Sequence, residues 1–177
     1  MCGIAGIILN NGHRVPADRL QQMTDAMAHR GPDGSGMWQN ESGAVALGHR
    51  RLSIIDLSND AAQPLHYLNR YTISYNGEIY NYIELRNELL QNGYAFHTQS
   101  DTEVILAAYD CWKNDCVQHF DGMFAFAIWD EREQTLFAAR DRFGEKPFYY
   151  HYDGNQFLFA SELKALWAAG INRSWNH

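Results

Sequence analysis

No apolar run in this 177-residue sequence approaches the roughly 20 residues needed to cross a bilayer. The apolar stretch Ile4–Leu9 is too short, and wrongly flanked, for a secretory signal. Both absences lead us to expect a cytoplasmic protein. Cysteine is scarce, with only Cys2, Cys111 and Cys116. So small and odd a number in a signal-free chain does not describe a disulfide framework. Cys111 and Cys116 are spaced neither as CxxC nor as zinc ligands, and read as helix packing residues. Basic residues are outnumbered, 14 against 21 acidic, for a net charge of -7. That balance argues against nucleic acid or an anionic membrane as partner. There is no G-x-S-x-G elbow, P-loop, dinucleotide fingerprint or H-E-x-x-H run. The eight histidines are scattered, none paired at metal-ligand spacing on one helix.

The chain has the size of one domain, and its 46% hydrophobic and 20% charged residues are ordinary for a globular protein. Its most informative residue is Cys2, in the run Met1-Cys2-Gly3-Ile4-Ala5-Gly6-Ile7. The plain reading is a packing residue in a buried first strand. The chemical reading starts from removal of Met1. One residue would then carry a thiol nucleophile and a free α-amine able to serve as its base. An unperturbed α-amine titrates at about 7.7–8.0 and a free thiol at about 8.5, so proton transfer between them is nearly balanced.

The pattern of apolar residues predicts strands and helices in mixed order. Gly3–Leu9 reads as a strand, and Pro16 opens a helix with Leu20, Met23 and Met27 at helical spacing, ending near His29. Arg30-Gly31-Pro32-Asp33-Gly34 is a breaker cluster. Strands are expected at Ala44–Leu47 and Leu52–Ile55, on either side of Gly48-His49-Arg50-Arg51. Another runs over Tyr71–Tyr75 into Asn76-Gly77, and helices follow at about Ile83–Gln91 and from Ser100 or Asp101 onward. Strands at Met123–Trp129, Thr135–Arg140, Phe148–Tyr152 and Gln156–Ala160 precede a last helix at about Glu162–Ala169. This is an α+β pattern with mostly antiparallel sheet.

Three polar clusters fall at element ends. In the first, Arg50 and Arg51 are adjacent, so in a strand they point to opposite faces. One of them can face inward and grip a carboxylate with two parallel hydrogen bonds, or both can be solvated edge charges. In the second, Tyr75-Asn76-Gly77-Glu78-Ile79-Tyr80-Asn81, Asn-Gly is ordinarily a turn. The Asn amide and the Gly backbone N–H could equally form a two-donor oxyanion site. In the third, Ser100-Asp101-Thr102-Glu103 is either a plain helix cap or a carboxylate site for an ammonium group. Taken together, the clusters suit an α-amino acid whose side chain carries an acyl group under attack, for which glutamine is the obvious fit.

These runs, in this order, resemble the class II glutamine amidotransferase domains of the N-terminal-nucleophile fold. They are most similar to the glutaminase half of glutamine-hydrolysing asparagine synthetases. The resemblance rests on Met1–Gly6, His29-Arg30-Gly31-Pro32-Asp33, His49–Asp56, Tyr75–Asn81, Ser100–Glu103 and Arg140–Tyr150. It implies a four-layer αββα sandwich of two mainly antiparallel sheets, a single glutaminase domain over 1–177, and no cofactor in this domain. It implies Cys2 as nucleophile, with Asn76 and Gly77 as oxyanion donors. Arg51 and the backbone of Leu52, Ser53, Ile54 and Ile55 would hold the substrate carboxylate, and Glu78 and Asp101 its amino group. The choice of Arg51 over Arg50 comes from the resemblance. ATP and magnesium would belong to a synthetase domain or subunit that accepts the ammonia. That domain's Ser-Gly-Gly-x-Asp-Ser loop does not occur in this sequence. A different acceptor, or a docking module without turnover, are the alternatives. The Arg140–Tyr150 run carries no catalytic assignment, and its Phe143–Pro147 centre reads as a turn.

Overall fold

The computed structural model describes residues 1–10, 12–52 and 62–173. The contacts divide the chain into two compact units, Met1–Leu52 with Pro147–His177, and Ser53–Lys146. Each is built on one antiparallel sheet.

The first unit holds β1 (Gly3–Leu9), α1 (Ala17–Ala26), β2 (Gly34–Gln39) and β3 (Val45–Arg51). Its sheet runs β2-β3-β1 and is completed by two later strands, Gln156–Ala160 and then Tyr149–Tyr152. Alternation decides which side chains meet the helices. Ala5 and Ile7 of β1 pair with Gly48 and Ala46 of β3, and this face packs with Leu20, Met23 and Met27 from α1 and its end. Gly48 is needed here inside a strand, because a Cβ would come within 2.6 Å of Thr24 Cγ2. The expected break at Gly48–Arg51 is therefore continuous strand, and the separate strand at Leu52–Ile55 is not borne out at Leu52, which follows β3. Ser53, Ile54 and Ile55 lie outside the described residues.

The second unit holds β4 (Leu65–Tyr67), β5 (Tyr71–Ile79), α2 (Tyr82–Gln91) and α3 (Asp101–Trp112), then β6 (Gly122–Asp130) and β7 (Thr135–Arg140). Its sheet order is β4-β5-β6-β7. Tyr71, Ile73, Tyr75 and Ile79 alternate onto one face of β5 and join a core with Leu85, Leu89, Val104, Ile105 and Ala108 of the two helices. The opposite face of β5 carries Thr72, Ser74 and Asn76, all buried and polar. Asn76-Gly77 is strand interior rather than a turn. Gly77 lies opposite Phe124, and a Cβ there would meet Met123 O at 2.4 Å and Phe124 Cα at 2.7 Å.

The chain then returns to the first unit with β8 (Tyr149–Tyr152), β9 (Gln156–Ala160) and α4 (Leu163–Ala168). These elements match the expected ones closely. The α+β class with two antiparallel sheets is what the structure has. Among the described residues no helix is long and apolar enough to cross a membrane. Of the other cysteines, Cys111 lies half-buried in α3. Cys116 is buried in the 3₁₀ turn after α3, and burial pushes its thiol up to about 12, far from reactivity.

Candidate active site

Cys2 lies immediately before β1. The β1–β3 register pairs Gly3 with Arg50 and Ile4 with His49, so one further step sets Cys2 opposite Arg51. The thiol sits against the end of β3, where Leu52 N–H donates to Cys2 Sγ at 3.3 Å and Sγ lies 3.5 Å from Leu52 O. The backbone is held as well. Arg30 Nε donates to the Cys2 carbonyl at 2.9 Å, while its Nη1 bonds Glu162 Oε1 at 3.1 Å. Glu162 also accepts from His29 and Lys164. Burial works against its charge, but hydrogen bonds from Lys164, Arg30 and His29 hold its carboxyl below the ordinary range. Arg30 Nη2 is buried and has no hydrogen-bond partner among the described residues.

The two arginines separate as alternation requires. Arg50 turns to the helix face, donating to Thr24 O at 3.1 Å and pairing closely with Asp25. Arg51 belongs to the other face, with Leu47 and His49. Gly31 explains part of the His29–Asp33 run. Its backbone crosses β3 so tightly that a Cβ would lie 2.3 Å from Arg50 C and 2.4 Å from Arg51 N.

The second unit carries the remaining expected residues on one stretch of β5 and the start of α3. Asn76 is buried, and its Nδ2 has no hydrogen-bond partner among the described residues. An amide nitrogen without a partner is costly, commonly about 1–3 kcal/mol, so an idle one calls for a reason. Strand alternation also orients the neighbouring N–H groups. Tyr75 N–H donates to Gln63 Oε1 at 2.7 Å and Ile79 N–H to Asp101 Oδ2 at 3.0 Å. Both lie on the edge of β5 away from β6, and Gly77 N–H falls between them on that edge.

Asp101 opens α3 but is not its cap. Ser100 caps it, its side chain accepting from Glu103 N–H, and Glu103 turns back to accept from His97 and Thr98 N–H. Asp101 is only 4% exposed and accepts Tyr75 O–H at 2.7 Å besides Ile79 N–H. Burial pushes its carboxyl above the ordinary range. Hydrogen bonds from Tyr75, Ile79 and Thr102 pull it back, and the charge of Glu78 adds to the rise. The structure thus brings Cys2 to Leu52, and Asp101 to Tyr75 and Ile79, which flank Asn76, Gly77 and Glu78 on β5. Arg30, Gly31, Tyr75, Gln63 and Glu162 are contacts that no sequence motif had assigned. Among the described residues no cluster of three or more His, Cys, Asp or Glu could hold a metal ion.

A model for the glutamine amidotransferase domain matches residues 1–176. The chain belongs to this family. It is 46% identical over 172 residues to asparagine synthetase [glutamine-hydrolyzing] 3 of Bacillus subtilis, covering 95% of this chain and 28% of that protein. It is also 39% identical over 186 residues to amidase chry2 of Gibberella zeae, covering 99% of this chain and 28% of that protein. This glutamine amidotransferase domain therefore spans just over a quarter of the length of both relatives. In fold it is similar to the glutamine phosphoribosylpyrophosphate amidotransferase of B. subtilis complexed with ADP and GMP. That match has a TM-score of 0.78 and 24% identity, over 96% of this chain and 44% of that one.

Proposed function

We propose that this domain hydrolyses the side-chain amide of glutamine through a thioester on Cys2, and that the ammonia serves an asparagine synthetase-type reaction. Removal of Met1 frees the Cys2 α-amine. The amine takes the thiol proton as sulfur attacks the amide carbon. The resulting oxyanion is held by Asn76 Nδ2 and Gly77 N–H. Collapse of the intermediate expels ammonia, with the amine returning its proton. Water then cleaves the thioester through a second oxyanion, releasing glutamate and restoring the thiol. Arg51, with the backbone of Leu52 to Ile55, grips the substrate carboxylate, and Glu78 and Asp101 take its ammonium group. The scheme calls for no metal or organic cofactor. ATP and magnesium belong to the ammonia-accepting synthetase part. A reducing compartment, the cytoplasm, suits such a thiol.

The observation that carries this reading is the buried Nδ2 of Asn76, which has no hydrogen-bond partner among the described residues, one position before Gly77, whose N–H faces the side of β5 away from β6. Two such donors, fixed by the strand before any oxyanion forms, would supply the electrostatic preorganisation that the step requires. Leu52 N–H donates to Cys2 Sγ at 3.3 Å and so holds the sulfur at the end of β3.

The test is ammonia release from glutamine and from asparagine by the processed chain. We expect release from glutamine only. Intact mass should show loss of Met1 and one adduct with a glutamine-mimicking electrophile. Cys2→Ala should abolish both turnover and adduct. Full glutaminase activity in that variant would sink the scheme. Similarity to amidase chry2 favours a second reading for the acceptor alone: the same ammonia delivered to an acceptor other than aspartate. Product analysis with aspartate and ATP, in the presence of the acceptor part, separates the two.

A further inference from the structure

We infer that Tyr75 is a positioning residue: its hydroxyl holds the Asp101 carboxylate oriented for the substrate's α-ammonium, and so sets the preference for amides that carry an α-amine. The inference rests on the reading of Asp101 given above and deepens it.

Three observations carry it. Tyr75 O–H donates to Asp101 Oδ2 at 2.7 Å, and Ile79 N–H donates to the same oxygen at 3.0 Å. Two donors fix one oxygen and leave the carboxylate's remaining acceptor capacity pointing elsewhere. Second, Asp101 is not needed as the helix cap. Ser100 already caps α3. A carboxylate 4% exposed and under the field of Glu78 is an expensive way to tie a helix to a strand. An arriving ammonium would offset both costs, which gives the charge a use. Third, the Tyr75 ring is pinned. Tyr75 N–H bonds Gln63 Oε1, and Gly77 is packed so tightly that a Cβ on it would lie 2.7 Å from Tyr75 Cε2. The hydroxyl is therefore presented from a fixed place.

The charged groups around Asp101 are accounted for element by element. Glu78 on β5 raises its affinity for a proton. Glu103 on α3 is spent on His97 and Thr98. Arg86 on α2 is spent on the Thr98 carbonyl and the Phe96 ring. Tyr75 is the side chain whose hydrogen bond opposes the effect of burial. Removing its hydroxyl must therefore raise the pH at which Asp101 becomes a carboxylate.

The experiment uses Tyr75→Phe in the full, processed chain, which keeps the ring and its packing. KM for glutamine is measured across pH, alongside the Ki of glutaramate, which is glutamine without its α-amine. We expect the glutamine KM to rise about tenfold relative to the glutaramate Ki, the scale of one hydrogen bond to a charged group. The pH below which the glutamine KM rises relative to the glutaramate Ki should move upward. Equal weakening of both ligands, or no movement of that pH, would overturn the inference. Asp101→Asn is the companion variant. If it leaves the discrimination intact, the ammonium role of Asp101 itself fails, and the inference with it. If it destroys the discrimination while Tyr75→Phe does not, only the role of Tyr75 fails.

Discussion

At the scale of single residues, the question is which polar atoms are left idle in the free protein. Most buried polar groups of the second unit are spoken for, such as Asp130, which accepts from Arg70 Nε and Nη2. Asn76 Nδ2 is not. An atom whose bond forms only with the oxyanion acts on the transition state and not on the bound ground state. Asn76→Ala should therefore lower kcat by about 10²–10³ while KM changes far less, measured as steady-state ammonia release. A KM effect of the same size would make Asn76 a ground-state contact instead. The sequence made this residue legible only through the order of motifs. Asn-Gly by itself signals a turn, and nothing in the local pattern reveals an unused amide. Tyr75 was not legible at all as a functional residue. Its alternation with Ile73 marks it as core, which it is, and its hydroxyl reaches an acid 26 positions away.

At the scale of elements, local turn chemistry and tertiary packing pull against each other in β5. The strongest hairpin signal nearby, Asn76-Gly77, is strand interior, because Gly77 is required by the approach of β6. The real turn between β4 and β5 uses Leu68 and Asn69 with φ of 54° and 50°, and a leucine there gives no turn signal. That is why β4 was not foreseen. The strand β2 was missed for a related reason. Gly34 belongs to a breaker cluster, but pairing with Arg51 makes it the first residue of the strand. Where periodicity was strong, as in Gly3–Leu9 or Thr135–Arg140, the expected and observed bounds coincide. The same conflict explains Gly31. A breaker in sequence, it serves in the structure as a close approach of backbone to β3 at Arg50 and Arg51. Gly31→Ala forces backbone against backbone at Arg50 and Arg51. We expect it to cost about 1–3 kcal/mol in chemical denaturation, the range of overpacking, and to lower kcat/KM for glutamine beyond that loss. A neutral substitution would mean that β3 gives way freely there.

At the scale of the whole molecule, an acidic chain with net charge -7 must keep its carboxylates satisfied as a set. Burial raises Asp110, Asp130, Asp141 and Glu162, yet hydrogen bonds outweigh it and leave all of them below the ordinary carboxylate range. Such groups bind fewer protons folded than unfolded. Their contribution is present above the unfolded value of about 3.9–4.3 and is lost as pH falls through the folded values. Asp101 has the opposite sign: its raised affinity for a proton disfavours the fold as pH rises through the acidic range. Asp141 is the clearest member of the first group, and it gives structure to the Arg140–Tyr150 run that the sequence left without a role. Its two oxygens accept N–H from Phe124, Phe143, Glu145 and Lys146. The run is thus a turn built around one buried carboxylate, closed by Arg140 Nε on the Lys146 carbonyl at 2.7 Å. Asp141→Asn places an amide nitrogen against N–H donors. It should lose about 1–3 kcal/mol at pH 7. Because the wild-type advantage is that of an ionised group, the gap in urea midpoints between wild type and variant should close as pH falls below about 4. A gap that stays constant from pH 7 to pH 3 would mean that shape, and not charge, holds the turn.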